Sequence, residues 1–211
     1  MESYGSRGTM VELIQLCLQR AGYSPGRVDG IFGRETQRAV MRFQQSRGLV
    51  PDGIVGPQTW QRMVPYLKGY VRYSVQPGDS FYSIARRYST TVDALRTANP
   101  GVNPQNLIVG SVITIPLGFD LVPENVHYTA ELNRYITEGL AMRYPFLSRG
   151  SIGNSVMGKS IPYVKIGSGS VQVFYNASFH ANEWLTTPVL LKFLEQYAKA
   201  YSNGSSIFGT E

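Results

Sequence analysis

Apolar residues recur at helical spacing in three early stretches of the chain. Met10, Leu13, Ile14, Cys17 and Ala21 form one stripe, predicting a helix from Thr9 to Ala21. Ala39, Val40 and Phe43 form a second, and Trp60, Met63 and Val64 a third. At Val71 to Val75 the pattern changes to alternation, which predicts a strand. Two short amphipathic helices follow. Ser80 to Tyr88 places Phe81, Ile84, Ala85 and Tyr88 on one face; Thr91 to Ala98 opens on a Thr-x-Asp cap and stops at Asn99-Pro100-Gly101. Val112 to Ile115 reads as a returning strand, closed by Pro116.

Beyond Glu124 the texture differs. Tyr128, Leu132, Tyr135, Ile136 and Leu140 share a face, predicting a longer helix from Tyr128 to Arg143 that Tyr144-Pro145 ends. Ser148 to Ile166 reads as two strands around a Met157-Gly158 turn. Val171 to Ala177 is almost continuously apolar, which predicts a strand buried in a sheet covered on both faces. Thr187-Pro188 then opens a helix with Val189, Phe193, Leu194, Tyr197, Ala198 and Tyr201 as its buried stripe, and Asn203-Gly204 ends it. These shifts divide the 211 residues into three modules, 1–68, 69–118 and 119–211, with Lys68-Gly69 as a short linker. The expected fold is multidomain: a small three-helix bundle, a βααβ module, and the N-terminal part of an α/β domain.

The first module contains a repeat. DGIFGRET begins at Asp29 and DGIVGPQT at Asp52, identical at five of eight positions. Each Asp-Gly pair makes a turn that exploits glycine's freedom at positive φ, and a helix follows each copy.

Charge and cysteine content narrow the function classes. The formal charge is +6, which favours anionic partners. The basic residues are dispersed, so a nucleic-acid binder rests on charge alone and is not expected. The single cysteine, Cys17, excludes an intrachain disulfide and lies on the apolar stripe of the first helix. No run approaches the roughly 20 apolar residues of a membrane span. The first residues, MESYGSRGTM, have neither the basic flank nor the apolar core of a secretory signal. A removed leader, another export route and an internal location all stay open.

Candidate metal chemistry sits in SFHANEWL, Ser178 to Leu185, where His180 and Glu183 stand three residues apart between the expected strand and helix. A catalytic zinc normally takes three protein ligands and a water. The other histidine, His127, stands at a helix entry and reads as a surface or cap residue.

Three resemblances bear on these motifs. GYSPGRVDGIFGRETQRAVMRFQQSRGLVPDGIVGPQTWQRM resembles the peptidoglycan-binding domain with a repeated DGxxGxxT signature. That implies glycan contacts near the turns, with Asp29, Gly30, Asp52 and Gly53 as candidates. Tyr73, Val75, Gly78-Asp79-Ser80, Ile84-Ala85, Leu95, Asn99-Pro100, Leu107, Gly110 and Ile115-Pro116 are similar to a LysM domain. The resemblance implies binding of N-acetylglucosamine-containing glycan across two loops, mapping to Gly78, Asp79, Ser80, Phe81 and to Asn106, Leu107, Ile108. Ser151, Gly153, Ser155, Gly158, Ile166-Gly167 and His180-Ala181-Asn182-Glu183-Trp184 resemble the start of the zinc metallocarboxypeptidase family. In that family the histidine and glutamate are the first two zinc ligands, so zinc is the implied cofactor and His180 and Glu183 its implied ligands. The family's third ligand, substrate arginines and general base come far later, so no catalytic base is expected within these residues.

Together the resemblances imply a bacterial wall hydrolase. A metallopeptidase with such modules resembles γ-D-glutamyl-L-diamino-acid endopeptidases, which cut the peptidoglycan stem peptide. The implied place of work is the cell wall, the extracellular space or the spore. The alternative is a non-catalytic peptidoglycan-binding protein with a truncated peptidase domain. That alternative would leave apolar faces of 171–177 and 189–201 exposed, an aggregation liability.

Overall fold

The computed structural model describes residues 1–180 and 183–207. The chain divides into two compact units, Met1–Lys68 with Pro123–Leu132, and Gly69–Val122 with Asn133–Glu211.

The first unit holds α1 (Thr9–Arg20), α2 (Arg34–Ser46) and α3 (Pro57–Lys68). Their apolar stripes meet in a core of Val11, Ile14, Leu18, Val40, Phe43, Met63 and Leu67, all fully buried. Each such side chain contributes roughly 1.5–3 kcal/mol. Trp60 and Val64 are only half-buried; Met63 and Leu67 carry the inner face of α3 instead. Tyr23 and Tyr66 meet the Phe43 ring edge-on, at centroid distances of 5.7 and 6.2 Å. Cys17 lies in this core, and burial pushes its thiol up to about 12, so it stays protonated and unreactive.

The two repeated turns share one device, a buried glutamine. Gln15 Nε2 donates to Asp29 Oδ1 (3.1 Å), Ile31 O (3.1 Å) and Thr36 Oγ1 (3.2 Å). Its Oε1 accepts the N–H groups of Asp29 and Gly30 at 3.1 and 2.9 Å. Gln44 repeats this for the second turn, donating to Asp52 Oδ1 (2.8 Å), Ile54 O (2.9 Å) and Thr59 Oγ1 (3.1 Å) and accepting Gly53 N–H (3.0 Å). Gly30 and Gly53 are required twice over. Both have positive φ, at +71° and +72°, and a Cβ would stand 3.1 Å from Gly8 O at one and 2.9 Å from Gln37 Cγ at the other. His127 belongs to this unit. Its Nδ1 lies 2.6 Å from Glu12 Oε1 and its N–H donates to Glu12 Oε2 at 3.1 Å, as suits a surface histidine held by a carboxylate.

The second unit begins with β1 (Tyr70–Ser74), α4 (Phe81–Arg87), α5 (Val92–Ala98) and β2 (Val112–Pro116). The strands pair antiparallel, with Tyr70 opposite Pro116 and Ser74 opposite Val112. Both helices pack on them around Val75, Phe81, Ile84, Leu95, Ile113 and Ile115. Ser80 and Ser83 form a capping box at the start of α4, and Thr91 Oγ1 caps α5 by accepting Ala94 N–H. Asn99, buried, closes the fold. Its Nδ2 donates to Leu95 O and Thr114 O, each at 2.7 Å, and its Oδ1 accepts Thr114 N–H at 2.8 Å.

The rest of this unit comprises α6 (Ala130–Arg143, its first turn counted with the other unit), β3 (Leu147–Asn154), β4 (Ser160–Ile166) and α7 (Thr186–Ser202). β3 and β4 form an antiparallel hairpin with a bulge between Ser151 and Gly153. Arg143 and Glu195 clamp the segment that joins β2 to α6. Arg143 donates to the carbonyls of Gly69 (3.0 Å), Leu117 (2.9 Å) and Phe119 (2.7 Å), and Glu195 accepts the N–H groups of Leu121 and Val122. Both side chains are almost fully buried, with Arg143 Nη1 4.0 Å from Glu195 Oε1. Burial lowers the arginine's pKa and the facing carboxylate opposes that shift.

Two expectations fail here. Val171 to Ala177 forms no strand, and Val171, Val173, Phe174 and Tyr175 are exposed. An apolar run encodes burial but not a partner. Among the described residues the only ladders are β1–β2 and β3–β4, so this backbone has nothing to pair with. The buried face of α7 is also different. Of the expected stripe Ala198 is buried and Leu194 half-buried, but Leu191 and Glu195 complete the inner face, while Val189, Phe193, Tyr197 and Tyr201 face solvent. The helix is rotated because Glu195 satisfies two buried amides and faces a buried guanidinium, which an apolar periodicity count cannot register.

Candidate functional site

His180 and Glu183 stand on the turn that enters α7. Ser178, in the left-handed region at φ +55°, reverses the chain before them. A ring of hydroxyls fixes the turn. Ser178 N–H donates to Thr186 Oγ1 (2.7 Å), Ser178 Oγ and Thr186 Oγ1 donate to Glu183 O (3.1 and 2.8 Å), and Ser178 Oγ lies 2.7 Å from Thr187 Oγ1. The two side chains therefore meet. His180 Nδ1 is 2.7 Å from Glu183 Oε1, and His180 N–H donates to Glu183 Oε2 at 3.2 Å. These bonds, the imidazole's first, hold the Glu183 carboxyl below the ordinary carboxylate range. Both side chains are open to solvent, 67% and 39% exposed. Ala181 and Asn182 of the same motif lie outside the described residues.

The donor set suits zinc: one imidazole nitrogen and one carboxylate oxygen presented from a single turn. Ligands of one tetrahedral zinc stand about 3.3 Å apart, so at 2.7 Å this pair is bonded to itself. Among the described residues no three of His, Cys, Asp and Glu gather as a metal site. The turn thus presents two groups of the type that bind zinc, and His127 is engaged with Glu12.

The loops expected to touch glycan are brought together by Val75, which accepts Gly110 N–H and donates to Ser111 O, both at 2.9 Å. Their side chains divide into occupied and free. Phe81 is in the core, Leu107 packs against it, and Ser80 caps α4. Asp79 accepts from Tyr73 Oη (2.6 Å), Gln76 N–H (2.8 Å) and Arg87 Nη2 (3.1 Å). Those partners, Tyr73 first, hold its carboxyl below the ordinary range. Gly78, Asn106 and Ile108 face solvent. So do Tyr82 and Val109, two exposed apolar side chains that sequence reasoning missed and that a surface sugar face could cover. Around the repeated turns, Gly30 and Gly53 are buried. Asp29 and Asp52 are bound by their glutamines and by the N–H groups of Ile31 and Ile54 (3.0 and 2.9 Å), which holds both carboxyls below the ordinary range. Neither Gln15 nor Gln44 was singled out in the sequence, although each is a polar residue on an otherwise buried helix face.

Residues 7–63 match the family model described as a putative peptidoglycan binding domain, 73–116 that of the LysM domain, and 134–208 that of zinc carboxypeptidase. The chain is 38% identical over 187 residues to gamma-D-glutamyl-L-diamino acid endopeptidase 1 of Lysinibacillus sphaericus, covering 64% of this chain and 47% of that protein. It is 46% identical over 68 residues to the uncharacterized protein YqgT of Bacillus subtilis, covering 31% of this chain and 18% of that one. The chain thus spans about half of the first relative's length or less of each. A solved LysM domain from Volvox carteri chitinase is 54% identical, covering 22% of this chain and 94% of its own, at a TM-score of 0.21.

Proposed function

Taking this chain as a peptidoglycan-binding domain, a LysM domain and a zinc carboxypeptidase segment in series, we propose that the whole protein is a wall-anchored zinc peptidase. Its substrate is the γ-D-glutamyl–diamino acid bond of the peptidoglycan stem peptide. The observation that carries this reading is the His180–Glu183 pair, fixed on the turn into α7, inside the residues that match zinc carboxypeptidase. The activity named for the Lysinibacillus sphaericus relative supplies the bond.

His180 and Glu183 would hold the zinc in this chain. A zinc ion, when bound there, supplies Lewis-acid polarisation of the peptide carbonyl and acidifies a water. Glu183 is a carboxylate at neutral pH, the form a metal ligand must take, and the bonds from His180 lower its pKa further. The hydroxyls of Ser178, Thr186 and Thr187 hold the backbone of the turn, so that metal binding has to part the His180–Glu183 hydrogen bond but not to order the turn itself. The general base and third ligand are assigned to no residue here.

Upstream, the LysM loops contact N-acetylglucosamine-containing glycan through the backbone at Gly78, Asp79, Ser80 and Phe81 and through Asn106, Leu107 and Ile108. Asp29, Gly30, Asp52 and Gly53 shape the turns beside which the first module meets peptidoglycan. The module boundaries are 1–68, 69–118 and 119–211. Two weak grips on one repeating polymer act together through effective concentration. The cell wall or the extracellular space is the place of action.

Digestion of stem peptides by the protein as its cells make it tests this. Mass spectrometry should find a new amino terminus on the diamino acid, absent with His180→Ala and with Glu183→Ala. Cleavage that survives both substitutions sinks the assignment of the ligands. Sedimentation with purified wall but no cleavage leaves a binding protein without peptidase activity.

A further inference from the structure

The first unit carries a basic cleft that adjoins its repeated turns, since Arg34 belongs to the first copy, DGIFGRET. Tyr4, Arg34, Gln37 and Arg38 line an open depression of ≈ 480 Å³, within the range of about 300–1,000 Å³ typical of small-ligand sites. Its floor is held from two sides. The amino-terminal segment bridges both turns, pairing Glu2 with Val55 and Arg7 with Ile31, and Gly5 N–H donates to Phe32 O at 3.0 Å, which sets Tyr4 beside α2. Gln37 packs against Gly53, where even a Cβ would be too close.

The two arginines of the cleft form no ion pair among the described residues, and Arg34 also borders a smaller depression lined by Asp29 and Glu35. Arg34 and Arg38 are exposed, one turn apart on the same helix face, and neither has a carboxylate partner among the described residues. Glu35, their neighbour in sequence, lies instead against Gly26. Like charges at this spacing oppose each other and cost helix stability. Two guanidiniums converging on one depression, with a tyrosine ring and an amide at its wall, match an oxygen anion attached to a flat or apolar body.

We infer that this cleft binds an anionic group of the wall polymer, a carboxylate of the stem peptide or a phosphate of an attached polymer. The first module then reads charge as well as glycan. This rests on the wall-binding reading above.

The test is co-sedimentation of the full chain with purified sacculi in three forms: untreated, stripped of phosphate polymers, and with carboxylates amidated. Arg34→Ala/Arg38→Ala should bind untreated sacculi roughly tenfold or more weakly than the parent chain. Arg62→Ala/Arg72→Ala, which removes equal charge from exposed sites elsewhere, should bind as the parent does. Loss of the parent's advantage after phosphate stripping assigns phosphate; loss after amidation assigns carboxylate. An unchanged amide spectrum around Gln15 and Asp29 certifies that the cleft variant is folded. Equal binding by parent and cleft variant overturns the site, as does an equal loss in the control pair. A parent chain that fails to bind any sacculi overturns the wall-binding reading itself.

Discussion

The LysM module and the residues leading into α7 belong to the same unit, yet they are built in opposite ways. In 69–118 the apolar faces of both helices and of β2 meet in one core, although Tyr82, Ile108 and Val109 stay exposed. Ile113 and Ile115 are buried, Asn99 closes three hydrogen bonds, and both helices are capped by side chains. In 171–180 the apolar residues are exposed and no strand forms. Order there is confined to the hydroxyl ring and the His180–Glu183 pair. The contrast teaches that a turn carrying a histidine–glutamate pair can be organised by local hydrogen bonds alone, without the sheet its sequence anticipates.

Hydrogen exchange is the strongest way to break this contrast. The buried Thr114 amide should exchange at least about a thousandfold more slowly than those of Val173 and Tyr175. Comparable protection would mean that 171–177 is paired after all.

Next in size is the clamp that ties α7 to the end of the LysM module. Glu195→Ala leaves two amides and a buried guanidinium without their carboxylate. It should cost roughly 3–5 kcal/mol in a denaturant titration of the full chain. A loss below about 1 kcal/mol would show that water replaces the carboxylate and that α7 is not anchored here.

The repeated turns sharpen the contrast from the other unit. Gln15→Ala and Gln44→Ala should each cost about 1–3 kcal/mol, and by similar amounts, because each glutamine serves one copy of the same turn. A large cost at one and none at the other would mean that only one copy is structural.

The smallest effect is acid sensitivity. Asp29 and Asp52 have native pKa values below the unfolded value of about 3.9. Their contribution is therefore present above that value and lost as pH falls through the depressed native ones. Asp29→Asn together with Asp52→Asn should flatten the pH dependence of the first unit's melting there; an unaltered slope assigns it to other carboxyls.

Local features were the legible ones. The DG turns, the three helices, the βααβ order and the hairpin at Met157-Gly158 follow from turn chemistry and short-range periodicity, and each lies close to where it was expected. His180 and Glu183 were legible as a spaced pair, and the structure brings them into contact. What escaped depends on distant partners. Gln15 and Gln44 look like ordinary helix polar residues until the turns fold onto them. Glu195 interrupts an apolar stripe, and only the amides of Leu121 and Val122 explain why it is inside. The strand expected at 171–177 failed for the same reason, since a ladder needs a second chain segment that periodicity cannot supply. In the LysM loops, Phe81 stands both on the apolar face of its helix and among the expected glycan contacts, and its side chain is buried in the core.

Zinc content tests the central claim most directly. The protein as its cells make it, and its His180→Ala and Glu183→Ala variants, would be equilibrated with a zinc buffer and their bound metal measured. One zinc per parent chain is predicted. Each variant should lose affinity by more than the roughly 10–100-fold typical of losing an outer hydrogen-bond partner of a ligand, with an unchanged melting transition because both side chains are exposed. A parent that binds no zinc, or variants that bind as it does, would contradict the assignment of this turn as a metal site.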